Sequence, residues 1–269
     1  ITKSMTRWLI ISILIGDIMG QMKPLFVVLI FSCATLSGCI FSSKDDSSID
    51  LVVDYNSDNG TIVESYSQGD LISTIEVIIS FDFSKTISAI DLATYLVDPM
   101  DGRDVFSIEA ESGSQIDVDF ADHGIYDVVA TAVDSNGYQI SKTISIRIDL
   151  RIDWVELDTN NPTAVPFDPQ PKNNGTHATM IEINSVVENP SLTGSLGDSG
   201  QTIQLTWYLM DELGDICQSR DGQASDGDSI TWQTIYFNTF MEHEFRIELD
   251  DSQDAVNIEQ SISILYEND

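Results

Sequence analysis

The sequence predicts an all-β fold: two tandem antiparallel β-sandwiches behind an N-terminal signal or anchor segment. Three observations carry this expectation. From Ile49 onward the apolar residues recur with period two rather than 3.6, the mark of half-buried antiparallel strands. Turn signals punctuate the runs at Asp58-Asn59-Gly60, Asp101-Gly102 and Asp134-Ser135-Asn136-Gly137. The patterned part of the chain is about 220 residues long, which is room for two sandwiches of about 100 residues each.

The N-terminus reads as an address. Lys23 precedes a short apolar run from Leu25 to Phe31, and small residues follow, the three-part pattern of a secretory signal. Leu36-Ser37-Gly38-Cys39 resembles the lipobox of prokaryotic lipoproteins. That resemblance implies cleavage before Cys39, a diacylglyceryl group on its thiol, and a chain held on the outer face of the cell membrane. The alternative is an uncleaved anchor, since Pro24 to Phe41 carries no charge and barely reaches spanning length. Residues 1–21 open on Ile1 and read as translated upstream sequence before Met22 or Met19, with an extended n-region of the signal as the second reading. Residues 40–49, centred on Ser42-Ser43-Lys44-Asp45-Asp46-Ser47-Ser48, read as a flexible polar tether.

Residues 50–150 form the first expected module. Ser73–Phe83, Gln115–Phe120 and Lys142–Ile148 alternate cleanly, and Ser84 to Asp91 is long enough for one helical turn. Residues 151–269 form the second. Its strand candidates are Ile152–Asp158, Thr179–Val187, Thr202–Met210, Ile230–Phe237, Glu244–Leu249 and Asn257–Tyr266. The Pro-rich stretch through Pro162, Pro166, Pro169 and Pro171 is then a long loop inside this module. Lys142-Thr143-Ile144-Ser145-Ile146-Arg147 and Gln260-Ser261-Ile262-Ser263-Ile264-Leu265 make a faint internal repeat, each closing a module.

Asp122-His123-Gly124-Ile125-Tyr126, continued by alternating apolar residues to Asp134 and Gly137, resembles the end of a PKD domain, an immunoglobulin-like module of prokaryotic surfaces. The resemblance implies an immunoglobulin-like sandwich over residues 50–150. It also implies a structural corner at Asp122, Gly124 and Tyr126, where the tyrosine hydroxyl bonds back to upstream backbone. Tyr95 to Gly102 departs from the family's Trp-Asp-Phe-Gly-Asp-Gly, keeping only an aromatic residue and the Asp-Gly turn. The second module resembles no named family.

Charge narrows the partners. The chain has 12 basic and 44 acidic residues, a net charge of −32. Without residues 1–39, which hold Lys3, Arg7, Lys23 and Asp17, it has 9 basic and 43 acidic residues, a net of −34. Such a surface repels nucleic acid and anionic headgroups and attracts cations. Cys33 and Cys39 lie in the leader, so Cys217 is the one cysteine of the folded part and the modules stand without an internal disulfide.

No enzyme constellation appears, and no catalytic residue is assigned. His123, His177 and His243 are far apart with no zinc-ligand spacing, and each reads as a surface residue. No Gly-x-Ser-x-Gly elbow or phosphate loop occurs. Cys217, with no histidine or redox partner nearby, reads as a half-buried filler. No metal is assigned; the weak candidates are calcium loops at Asp54, Asn56 and Asp58, and at Asp221, Asp226 and Asp228. The first lacks the glycine and glutamate positions of an EF-hand loop. Asn59-Gly60-Thr61 and Asn174-Gly175-Thr176 are glycosylation sequons in expected loops.

The expectation is therefore a non-catalytic, lipid-anchored surface protein that serves as an interaction or spacer element. Its partner is a protein or a glycan. The alternative is a carbohydrate-binding module stacking sugars on Trp154, Trp207, Tyr208, Trp232 or Tyr236, although residues inside alternating strands usually belong to a core.

Overall fold

The computed structural model describes residues 49–191, 201–251 and 253–267. The expected signal peptide, Cys39 and the tether through residue 48 lie outside them. The described residues belong to one compact unit, and they form strands, turns and loops without a helix.

The first half contributes β1 (Ile49–Asp50), β2 (Asp54–Tyr55), β3 (Asn59–Ser67), β4 (Asp70–Ile75), β5 (Val77–Asp82), β6 (Ile87–Ser88), β7 (Leu92–Asp98), β8 (Phe106–Glu109), β9 (Gln115–Phe120) and β10 (Gly124–Asp134). Next comes β11 (Gln139–Thr159), the longest strand. The second half adds β12 (Val165–Phe167), β13 (Met180–Glu188), β14 (Ile203–Asp211), β15 (Ile216–Ala224), β16 (Ser229–Tyr236), β17 (His243–Leu249) and β18 (Val256–Leu265). The run Ser73–Phe83 divides at Glu76 into β4 and β5, which belong to different sheets. Ser84–Asp91 does not take the helical turn that its length allows. Asp82 instead accepts bonds from the Ser84 amide and hydroxyl, each at 2.9 Å, and the chain re-enters extended structure at β6.

A nine-stranded sheet runs β16-β13-β18-β11-β10-β7-β8, with β3 beside β11 and β4 beside β3. Two smaller sheets, β2-β5-β9 and β12-β17-β14-β15, complete the sandwiches, and β1 and β6 form a separate two-stranded pair. The division expected near residue 150 falls inside β11. Residues 139–148 pair with β10, and residues from Leu150 to Thr159 pair with β18. β3 runs parallel to residues 147–155. A strand has two edges, and Leu150–Val155 pairs with both β18 and β3. These two therefore lie on opposite edges. β3 also overlaps β10 at residues 147–148, so β10 and β18 follow one another along the other edge.

One face of β11 serves both halves. Every even residue from Ile144 to Glu156 is buried, and residues two apart in a strand share a face. Ile144, Ile146, Ile148, Ile152 and Trp154 are buried, as are Phe81, Val118 and Phe120 of the first half and Leu205, Trp207 and Phe245 of the second. The buried residues form a single connected cluster. The architecture is thus two immunoglobulin-like β-sandwiches fused on one sheet, with the two smaller sheets side by side over it.

Candidate functional site

The two smaller sheets leave a cleft where they meet. Its floor is the middle of the shared sheet, where Leu150, Ile152 and Trp154 stand beside Ile62, Glu64 and Tyr66 in parallel register. Ala121–His123, after β9, forms one wall, and Thr163–Asp168, around β12, forms the other. Lys172 stands at the mouth. The cavity volume is about 480 Å³.

Local chemistry holds this shape. The Tyr66 ring stacks on Trp154 at 5.0 Å and 26°, and its hydroxyl donates to Glu64 at 3.0 Å. Burial, then the adjacent Glu64 carboxylate, push the Tyr66 hydroxyl above its ordinary pKa. Glu156, 4% exposed, accepts from the Trp154 indole at 2.8 Å and from the Thr163 amide at 3.1 and 3.2 Å. One carboxylate thereby fastens the floor to the start of the wall.

His123 links the two halves at the far wall. Its Nδ1 lies 2.7 Å from the Tyr266 hydroxyl and its Nε2 lies 3.2 Å from the Asp168 carbonyl. A carbonyl only accepts, so Nε2 carries a proton, and in the neutral ring Nδ1 accepts from Tyr266. Burial lowers the His123 pKa, which favours this neutral ring. Burial also drives the Asp168 carboxyl upward, but the Lys172 ammonium at 2.5 Å and the Gln170 amide at 2.9 Å outweigh it and hold the pKa below the ordinary value.

The sequence candidates fall in several places. The Tyr126 hydroxyl donates to the Asp122 carbonyl at 2.7 Å, and burial raises its pKa strongly. Gly124 has φ of +153°, and a Cβ there would meet the Asn173 side chain at 3.0 Å. Asp122 also borders the cleft. His123 and His243 are buried at 6% and 3% exposure, which corrects the expectation that they lie on the surface. Tyr266 and Asp168 enclose the first; the second bonds the Asn238 carbonyl at 2.9 Å and packs between Phe167 and Tyr236. His177 is exposed. Cys217 is half-buried on β15.

The two acidic runs do not converge as loops. Asp54 lies in β2, paired with Lys85, and Asn56 bonds the backbone of Ile78 and Ser80. Asp58 accepts from the Asn59 amide at 2.7 Å. Asp221 lies within β15 and accepts from Thr206 at 3.0 Å, whereas Asp226 and Asp228 sit in the turn before β16. Among the described residues, no group of three or more His, Cys, Asp or Glu is placed to hold a metal ion. Asn174 is in an exposed loop. Asn59 opens β3 alongside Arg147, so the first sequon begins a strand rather than a loop.

Trp154, Trp207 and Trp232 are core residues, and Tyr208 and Tyr236 are half-buried. A second concavity lies on the outer face of the shared sheet. Glu182, Asn184, Gln233, Ser261 and Ser263 line it, and Gln233 donates to Asn184 at 3.1 Å.

No protein-family model matches the chain, and no curated protein matches it. Solved structures of similar form do exist. A carbohydrate-binding module of the β-sandwich superfamily aligns over 83% of this chain and 94% of its own, with 10% identity and a TM-score of 0.31. Fibronectin type III-like modules of Clostridium thermocellum CbhA align over 80% and 94%, with 17% identity and a TM-score of 0.25. A Bacteroides ovatus protein of a mixed-linkage glucan utilization locus aligns over 77% of this chain and 52% of its own, with 10% identity and a TM-score of 0.22. Likeness at this level concerns the sandwich form alone, and the fold assignment rests on the strands and their register.

Proposed function

We propose that the chain is a non-catalytic, lipid-anchored surface protein that presents a ligand cleft outside the membrane. The observation that carries this reading is β11, which passes through both sandwiches without a linker. Bending at the junction would break hydrogen bonds to β3, β10 and β18, each costly to leave unmade in a buried sheet. A hinge-free body suits a spacer, and the junction is also where the cleft forms. The lipobox-like Leu36–Cys39 supplies the anchor, and the polar residues after it supply the tether. The test is fractionation of native cells. The chain should partition with membranes and be cut by added protease on intact cells, while Cys39→Ser should release it to the medium. An intracellular soluble chain, or turnover on a hydrolase panel abolished by a point substitution, would overturn the reading.

A second reading, carbohydrate binding, is favoured by the outer groove. Its amide, carboxylate and hydroxyl side chains stand on an open sheet face and are the donors and acceptors that sugar hydroxyls need. Saturable binding of a neutral oligosaccharide that is lost in Asn184→Ala and Gln233→Ala would support it. Retention of that binding in both variants would place the sugar elsewhere.

A further inference from the structure

The cleft separates two kinds of surface. Apart from Glu64, which stands in register with Ile152, its floor is aliphatic and aromatic: Ile62, Leu150, Ile152 and Trp154 are each under a tenth exposed. Its border is acidic. Asp122 and Asp168 line it with Lys172, and Lys172 is engaged by Asp168. Burial favours a neutral His123 ring, held by its bonds with Tyr266 and the Asp168 carbonyl, over a second positive charge on the wall. The half-buried Tyr66 stands between floor and mouth, where a ring can meet a cation.

We propose that this cleft binds a small amphiphilic cation, an ammonium or amine carrying an apolar ring or short alkyl body. The inference rests on the reading of the chain as a binding protein and names the ligand class of its cleft. The volume of about 480 Å³ falls within the range of small-molecule sites, roughly 300–1,000 Å³. Charge selects the sign: the Glu64 and Asp122 carboxylates, on a chain of net charge −32, draw cations in and turn anions away. The floor selects the body. A sugar pressed against Ile62, Leu150 and Ile152 would leave hydroxyls without partners, and a desolvated hydroxyl without a partner is unfavourable. An alkyl or aryl group suits that floor, and its ammonium is left to the carboxylates of Glu64 and Asp122.

Calorimetry on the full chain in a non-ionic detergent, with empty micelles as the blank, tests this. The probes are benzyltrimethylammonium, benzyl alcohol and phenylacetate, which share a ring and differ in charge. The ammonium should bind saturably at one site, about tenfold or more tighter than the alcohol, and phenylacetate should not bind. The double variant Glu64→Gln, Asp122→Asn keeps the hydrogen-bonding shapes and removes both charges. It should bring the ammonium to within about threefold of the alcohol. Ala164→Trp, at a half-buried position on the wall, should weaken both. No saturable binding of the ammonium, equal binding of the alcohol, or ammonium binding unchanged in the double variant would overturn the proposal. Equal binding of the alcohol would still leave a binding cleft, which separates failure of the ligand class from failure of the binding reading.

Discussion

Replacing Glu156 with alanine tests how the cleft is held. The carboxylate is buried and accepts the Trp154 indole N–H and the Thr163 amide N–H. Hydrogen bonds to a charged acceptor contribute about 1.5–3 kcal/mol each, and a buried donor left without a partner costs about 1–3 kcal/mol. The Trp154 indole is that donor, whereas water can reach the amide of exposed Thr163. Against this stands the relief of removing a buried carboxylate that has no cationic partner among its hydrogen bonds. The balance is a loss of about 2–4 kcal/mol, or roughly 5–15 °C in Tm for a body of this size. Glu156→Gln keeps an acceptor for the indole but sets an amide donor against the Thr163 N–H, so it should lose about 1 kcal/mol. Urea denaturation measures both, and hydrogen exchange should rise at residues 160–168 in the alanine variant. A loss below about 0.5 kcal/mol with unchanged exchange there would refute the reasoning.

Other perturbations follow from the same geometry. Burial lowers the His123 pKa below its ordinary 6.5, so the folded state binds this proton less readily than the unfolded chain. The stability that neutral His123 contributes is full above the ordinary value and lost as pH falls through and below it. Wild type should therefore lose more stability than His123→Gln between about pH 7 and pH 5; equal slopes in denaturation at the two pH values would contradict this. Gly124→Ala combines a φ of +153° with a Cβ at 3.0 Å from Asn173, and should cost about 1–3 kcal/mol, read from the urea midpoint. Trp207→Ala empties a site with 0% exposure and leaves the Ser185 hydroxyl without its 2.9 Å partner. Its cost should be about 3–5 kcal/mol, and a midpoint shift under a third of that would place Trp207 outside the core.

Much of the fold was legible where one face is dry and the other wet. β9, with Ile116, Val118 and Phe120 inward, is the clearest case. β15 was missed because it is an edge strand paired only with β14, and its residues Gln218 to Gln223 are largely solvated. The continuity of β11 was visible in principle. Ile144, Ile146, Ile148, Leu150, Ile152 and Trp154 never break step, yet the usual length of a sandwich argued for a cut at residue 150. The parallel partner β3 lies some ninety positions upstream, and a distant pairing leaves no local pattern. The cleft stayed hidden for the same reason. Glu64, His123, Trp154 and Asp168 belong to four separate segments and converge only through the sheet. His123 read as a turn residue because Tyr266, which buries it, is 143 positions away.

Hydrogen exchange at the junction tests the central claim most directly. Residues 147–155 of β11 lie between β3 on one edge and β10 or β18 on the other. Their amides should exchange as slowly as those of Tyr126–Ala132 in β10 and Ile258–Ile264 in β18. Exchange at residues 149–151 as fast as in the turn at Ser135–Tyr138 would mean a hinge between two separate sandwiches, and it would contradict the single shared strand on which the cleft depends.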